Sequence, residues 1–266
     1  MAVDLDGLAA DLGAETNVLL AVLEPLDVAG WATPTPAPGW RIQEQIAHLA
    51  YFDEAAATAA RDADAFQREL EAALADPDGI TERISARSRG MQPAAVLDWF
   101  LGARAEMVST FLALDPSARV PWYGPPMSLA SSLTARIMET WAHGQDIVDA
   151  VGADRPPTAR LKHVAHIGAR ARPFSYAING RELPSVDVYV GLTAPDGELW
   201  EWGASDVDRV TGPALDFCLA VTQRRHLADT ALVVEGPAAT EWMGFAQAFA
   251  GGPGEGRQPG QFTDRR

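Results

Sequence analysis

The stretch Ile42-Gln-Glu-Gln-Ile46-Ala-His48-Leu49-Ala-Tyr-Phe52-Asp53 repeats its large apolar side chains every three or four residues. A period near 3.6 puts Ile42, Ile46, Leu49 and Phe52 or Asp53 along one face of a helix. The spacing predicts a helix from about Ile42 to about Leu74, closed by Asp76-Pro77-Asp78-Gly79. Upstream lies Trp31-Ala-Thr-Pro-Thr-Pro-Ala-Pro-Gly-Trp40, where Pro34, Pro36 and Pro38 exclude helix interior. It reads as an ordered loop pinned by its two tryptophans. Before it, Leu5, Leu8, Leu12, Val18, Leu19, Val22, Leu23 and Leu26 mark a first amphipathic helix, with Pro25 in its last turn.

Downstream, a polar stretch with Arg83, Arg87 and Arg89 precedes Pro93, which suits the first turn of a third helix. Val96, Leu97, Phe100, Met107, Val108, Phe111 and Leu112 form its apolar face, and Asp115-Pro116 stops it. The loop from Val120 to Pro126 leads into a fourth helix, about Ser128 to Val151, with Gly152 as its cap. Four long helices with connections that permit antiparallel neighbours predict a four-helix bundle over residues 1–152.

Asp154-Arg-Pro-Pro157 reads as a domain boundary, and the pattern changes after it. A helix at about Thr158–Ile178 is followed by a strand at Val186–Leu192, a turn at Pro195-Asp-Gly197 and a hairpin partner at Leu199–Trp202. Gly212-Pro213 opens a helix reaching about Arg225. A strand at Thr230–Val234 and a helix at Ala238–Ala250 complete a small α/β domain over 153–250, and 251–266 reads as a flexible glycine-rich tail. The fold class expected is α+β: an N-terminal bundle and a smaller C-terminal α/β domain.

Composition narrows the functions. Net charge is −15 and the pI about 4.6, which argues against nucleic acid or an anionic membrane surface as partner. Cys218 is the only cysteine, so no intrachain disulfide forms and a reducing compartment is natural. The N-terminus has neither the basic nor the apolar region of a signal peptide, and no run reaches the ~18 apolar residues of a membrane span. A soluble cytoplasmic protein, monomer or homodimer, is expected. P-loop, dinucleotide-binding and serine-hydrolase signatures do not occur.

The chemistry lies with two of the five histidines. Glu139 and His143 stand four residues apart in Met138-Glu-Thr-Trp-Ala-His143-Gly-Gln-Asp146, hence on one helix face. If the helices bearing His48 and His143 are neighbours, His48 adds a third ligand. A His₂Glu set leaves one coordination position open, the pattern of a catalytic zinc site; nickel or iron(II) fits the same donors. Spacing alone leaves a second reading open, in which these are hydrogen-bonded core histidines without a metal.

Three stretches carry a resemblance: Trp31–Trp40 with Gln45–Asp53; Met138-Glu-Thr-Trp-Ala-His143-Gly-Gln-Asp-Ile-Val-Asp149; and, further on, Arg172-Pro-Phe-Ser-Tyr with Gly212–His226. Together they resemble the DinB-like mycothiol-dependent maleylpyruvate isomerase superfamily. The nearest likeness within it is an actinobacterial metal-binding group whose C-terminal half is wyosine-base-formation-like. The resemblance implies a DinB-like bundle, with the ligands falling on His48, Glu139 and His143. It also implies Zn²⁺ or another divalent metal, with mycothiol as co-substrate. Cys218 lies in an apolar helical run and reads as an inert buried thiol, so any thiol chemistry draws on an external thiol.

Five further residues are weighed. Asp53 and Asp146 lie about one turn from His48 and His143 and are placed to orient the imidazoles, the alternative being solvated helix carboxylates. Arg225, in Arg224-Arg225-His226, reads as an anion clamp for a carboxylate substrate, or as a basic residue answering a helix dipole. His163 and His166 form an i, i+3 pair without an acidic partner and read as a helix surface. Three functions compete: a metal-dependent enzyme activating mycothiol for isomerisation or S-transfer on a small electrophile, a hydrolase using metal-activated water, and a non-catalytic metal-dependent ligand-binding protein.

Overall fold

A computed structural model describes residues 4–76 and 79–262. Pro77 and Asp78 of the expected turn, and residues 263–266 of the expected tail, lie outside the described residues. The chain divides into two compact units, Met1–Arg155 and Pro156–Arg266.

The first unit contains α1 (Leu5–Leu23), the short α2 (Val28–Trp31), α3 (Ile42–Arg61), α4 (Ala63–Ala75), α5 (Gly79–Arg89) and α6 (Pro93–Leu112). A two-residue antiparallel pair, β1 (Arg119–Val120) and β2 (Met127–Ser128), precedes α7 (Leu129–Val151). The bundle consists of α1, α3, α6 and α7. Local chemistry sets the helix ends. The Asp4 carboxylate accepts from the Gly7 amide at 2.8 Å, Pro93 occupies the first turn of α6, and Ser128 caps α7 through the Ser131 amide. Gly152 ends α7 at φ +67°, a conformation that costs glycine little.

The helix expected to run unbroken from Ile42 to Leu74 is two helices. Asp62 sits at φ −142°, ψ 84°, outside the helical region, and its carboxylate accepts from the Ala65 amide at 2.9 Å. It closes α3 and caps α4, so the capping side chain overrides a continuous apolar pattern. The polar stretch with Arg83, Arg87 and Arg89 is helix α5, and the Arg87 guanidinium lies 3.7 Å from the centre of the Trp99 ring.

The bundle core has two parts. Leu19, Leu23, Trp31, Ile42, Ile46, Leu49, Val96, Phe100 and Ile147 pack towards one end. Leu12, Ala56, Met107, Phe111, Leu129, Leu133 and Ile137 pack towards the other. Truncating one of the large side chains to alanine costs about 2–5 kcal/mol.

The second unit contains α8 (Leu161–Arg170), α9 (Arg172–Ile178), β3 (Tyr189–Thr193), β4 (Leu199–Trp202), β5 (Arg209–Pro213), α10 (Ala214–Val221), β6 (Val233–Glu235) and α11 (Pro237–Met243). The strands form one sheet in the order β4-β3-β5-β6. β3 pairs antiparallel with β4 and parallel with β5, and β5 pairs antiparallel with β6. The expected Thr158–Ile178 helix is interrupted at Ala171, because Pro173 lacks an amide proton and starts a new helix. β5 was not anticipated: Gly212-Pro213 reads as a helix opener, yet both residues close a strand whose Val210 is fully buried. The described residues between Gly251 and Phe262 are tied back within this unit: Gly254 N donates to Gln247 Oε1 at 2.9 Å and Gly260 N to Asp229 Oδ1 at 2.8 Å.

Candidate metal centre

α3 and α7 are neighbours in the bundle. This packing brings together side chains that the chain keeps far apart. His48 comes from α3, and Glu139 and His143 from successive turns of α7. His48 Nε2 lies 3.6 Å from Glu139 Oε2, and His143 Nε2 lies 3.1 Å from the same oxygen. One candidate ligand atom from each residue falls within 4.8 Å of the other two. The imidazole centroids are 4.3 Å apart. Among the described residues this is the one cluster of His, Cys, Asp or Glu with such a convergence.

The orientation of His143 is held from behind. Its Nδ1 meets Gln45 Oε1 in a short hydrogen bond. Gln45 Nε2 donates to Thr35 Oγ1 at 2.8 Å, and the Thr35 hydroxyl donates to the Trp40 carbonyl at 2.9 Å. With each donor assigned, Gln45 must present its oxygen to the imidazole, so Nδ1 carries the proton. His143 Nε2 then faces the Glu139 carboxylate. A ring nitrogen and a carboxylate oxygen 3.1 Å apart hold a proton or a cation between them. This donor set fits a divalent cation, with His48, Glu139 and His143 as the residues to hold it.

Electrostatics prepares the ligands. Burial, aided by the nearby charge of His143, pushes His48 down to about 4, so its imidazole is neutral at pH 7. Burial alone would raise the Glu139 carboxyl. The hydrogen bond with His143, the contact with His48 and the Arg136 charge outweigh it and hold Glu139 well below the usual carboxylate range. A neutral His48 nitrogen and an ionised Glu139 carboxylate are in the state that coordinates a metal.

Aromatic rings enclose the imidazoles. Trp40 stacks on His143 with centroids 5.8 Å apart and lies 5.2 Å from His48. Phe52 lies 4.7 Å from His48 on its other side. The two tryptophans expected to pin the loop therefore divide the work: Trp31 enters the core and Trp40 covers the site.

The remaining candidates fall elsewhere. The Asp53 carboxylate, expected to orient His48, bonds instead to Arg104 Nε at 2.6 Å. Arg104 also donates to Thr16 Oγ1 at 2.7 Å and to Thr140 Oγ1 at 3.1 Å, so it ties α3 to α1 and α7. Asp53 is thus part of the bundle's internal framework, because a fully buried carboxylate beside a guanidinium binds it. Asp146 is buried on α7, three residues past His143. Arg225 lies in the second unit after α10, buried, with its guanidinium 4.1 Å from the Phe262 ring centre and Nη1 donating to the Arg224 carbonyl. His166 Nδ1, also in the second unit, accepts from Trp202 Nε1 at 3.1 Å. Gln45 was missed in the sequence, although it stands one turn before His48 in the same motif.

The family model of the mycothiol maleylpyruvate isomerase N-terminal domain matches residues 12–148, which include His48, Glu139 and His143. The chain belongs to that family. An uncharacterised protein of Mycobacterium tuberculosis, matched in strains CDC 1551 and H37Rv, is 44% identical over 250 residues, covering 93% of this chain and 97% of the relative. Among solved structures, a crystal structure of the mycothiol-dependent maleylpyruvate isomerase superposes with a TM-score of 0.59 at 17% identity. That of its histidine-to-alanine mutant gives 0.57 at 16% identity. Both matches cover 84% of this chain and 90% of the other and show a shared α+β fold. No described helix is long and apolar enough to cross a membrane.

Proposed function

We propose that the protein is a metal-dependent enzyme that uses an external low-molecular-weight thiol, mycothiol, to isomerise a small electrophilic substrate. The observation that carries the proposal is the convergence of His48 Nε2, His143 Nε2 and Glu139 Oε2 in a family named for such an isomerase. Zn²⁺ is the expected ion. Bound there, it supplies acidification of a thiol, which then exists as thiolate at neutral pH.

The chain's own residues have separate tasks. His48 presents a neutral nitrogen, His143 turns its Nε2 to the same point, and Glu139 supplies the single negative charge. Gln45 fixes the His143 ring, Trp40 packs on both imidazoles and Phe52 on that of His48. The sulfur lone pair of the thiolate forms a C–S bond to a conjugated carbon, and the displaced π electrons move to the conjugated oxygen. Rotation about the resulting single bond and expulsion of the thiolate restore the double bond with inverted geometry. No redox equivalent is consumed, and the thiol proton returns through solvent.

The test is metal analysis combined with thiol dependence. The purified protein is expected to hold about one equivalent of zinc, lost in His48→Ala and in Glu139→Ala. Mycothiol added to the zinc form is expected to quench tryptophan fluorescence through Trp40, and cis–trans isomerisation of conjugated keto acids should require it. Metal retained by both variants, or isomerisation indifferent to thiol, overturns the proposal.

A further inference from the structure

Arg136 lies on α7 one turn before Glu139, with only 6% of its side chain exposed. Its Nη1 is buried without a hydrogen-bond partner, and the rest of its guanidinium donates to none of the described residues. Arg104, equally buried, shows what a structural arginine does in this bundle: each of its three nitrogens has an acceptor. The contrast is chemical, because leaving a buried guanidinium unpaired is costly.

Nearby carboxylates do not resolve it. Asp53 Oδ1 stands 4.0 Å from Arg136 Nη1, beyond hydrogen-bond reach, and Asp53 is already bound to Arg104. Two guanidiniums therefore share one carboxylate, which leaves one positive charge. The Glu139 carboxylate is turned towards the imidazoles, and a cation held there takes up its charge. Even if Nη1 closed on Asp53, the other nitrogens of the fork would still lack an acceptor.

The surroundings indicate what the fork receives. The guanidinium lies 5.9 Å from the Phe52 ring centre and 5.7 Å from that of Trp122. Phe52 also packs on His48 at 4.7 Å, so one aromatic wall runs from the histidine to the arginine. A planar fork matches the two oxygens of a carboxylate. The one guanidinium charge matches one carboxylate, and the flanking rings suit a short apolar stem. We infer that Arg136 is the receptor for a carboxylate of the substrate, a specificity-determining residue beside the metal centre. The inference deepens the proposed function and rests on His48, Glu139 and His143 being that centre.

The test titrates propionate, and its neutral analogue propionamide, into the protein at constant ionic strength. Tryptophan fluorescence and calorimetry report binding, in the zinc-loaded and the chelator-treated forms. Propionate is expected to bind the zinc form and propionamide not. Arg136→Gln should weaken propionate at least tenfold with zinc content unchanged, and Arg136→Lys should lose less because it keeps the charge but not the fork. Should the Gln variant fail to fold, the propionate–propionamide difference and the Lys variant decide. Propionate affinity unaltered in the variants, equal binding of the amide, or no binding of propionate in either form overturns the inference. A parent protein that takes no zinc yet binds propionate through Arg136 overturns the metal reading alone. One that takes zinc without Arg136-dependent binding overturns this inference alone.

Discussion

His143 Nδ1 donates to the side-chain oxygen of Gln45, 98 residues away in the chain. That bond places a proton on Nδ1, turns Nε2 towards Glu139 and anchors the ring through Thr35 to the Trp40 carbonyl. Gln45→Leu keeps the volume and removes the acceptor. It is expected to lower zinc affinity about 10–100-fold while leaving all three ligands in place. Competition with a chromophoric chelator measures this. An affinity equal to the parent's would show that the bond does not orient the ligand.

The Arg104–Asp53 pair is the corresponding framework contact. Both side chains are buried, and Arg104 reaches three helices from one guanidinium. Arg104→Met leaves Asp53 charged and buried, with an expected loss of about 3–5 kcal/mol in denaturant unfolding. Asp53→Leu combined with Arg104→Met removes both charges and should recover part of that loss. The folded fraction of each variant should still bind zinc, because neither residue belongs to the ligand set. If the double variant is less stable than Arg104→Met alone, Arg136, 4.0 Å from Asp53, holds more of that carboxylate's charge than the geometry indicates.

The convergence of His48, Glu139 and His143 was legible because helix periodicity converts spacing into faces. Glu139 and His143 at i, i+4 had to share a face, and His48 joined them once α3 and α7 were neighbours. The roles of Asp53 and Gln45 were not legible, because a one-residue difference in helix phase decides whether a side chain faces the imidazole or the core. Asp53 is eight residues beyond Gln45 on α3 and turns to Arg104, a contact across 51 residues that no local pattern encodes. The break at Asp62 was hidden because the apolar pattern continues through it, although the Asp-x-x-Ala cap was present in the residues. β5 was hidden for the opposite reason: its Gly212-Pro213 end imitates a helix start. Arg136 had no sequence signal, since what distinguishes it is the absence of an acceptor.

Tyr51 and Tyr123 both donate to Glu69 Oε1, at 2.8 and 2.6 Å, at the outer end of the aromatic cluster that includes Phe52. Burial, with the hydrogen bond to Glu69 and its charge, pushes Tyr51 up to about 12 and raises Tyr123 above the usual phenol range. The folded state keeps these protons when the unfolded chain, titrating near pH 10, has lost them. The stability they contribute is therefore fully present below pH 10 and lost as pH rises towards 12. Urea midpoints measured from pH 8 to 11.5 should fall with pH, and Tyr51→Phe should flatten the slope. A midpoint whose pH dependence is the same in both proteins would remove this pair from the alkaline limit.

Cys218 bears on where the reacting sulfur comes from. It is fully buried in α10 and lies 3.5 Å from the Leu161 carbonyl. Burial pushes its thiol well above the ordinary range, away from the thiolate that attacks electrophiles. The native protein is therefore expected to resist iodoacetamide at pH 8 for as long as it stays folded, and to take up one equivalent per chain in denaturant. Cys218→Ala should leave thiol-dependent isomerisation unchanged within about twofold, since the small cavity costs stability rather than chemistry. Turnover abolished in Cys218→Ala at unchanged zinc content would move the nucleophile from the external thiol to the chain itself.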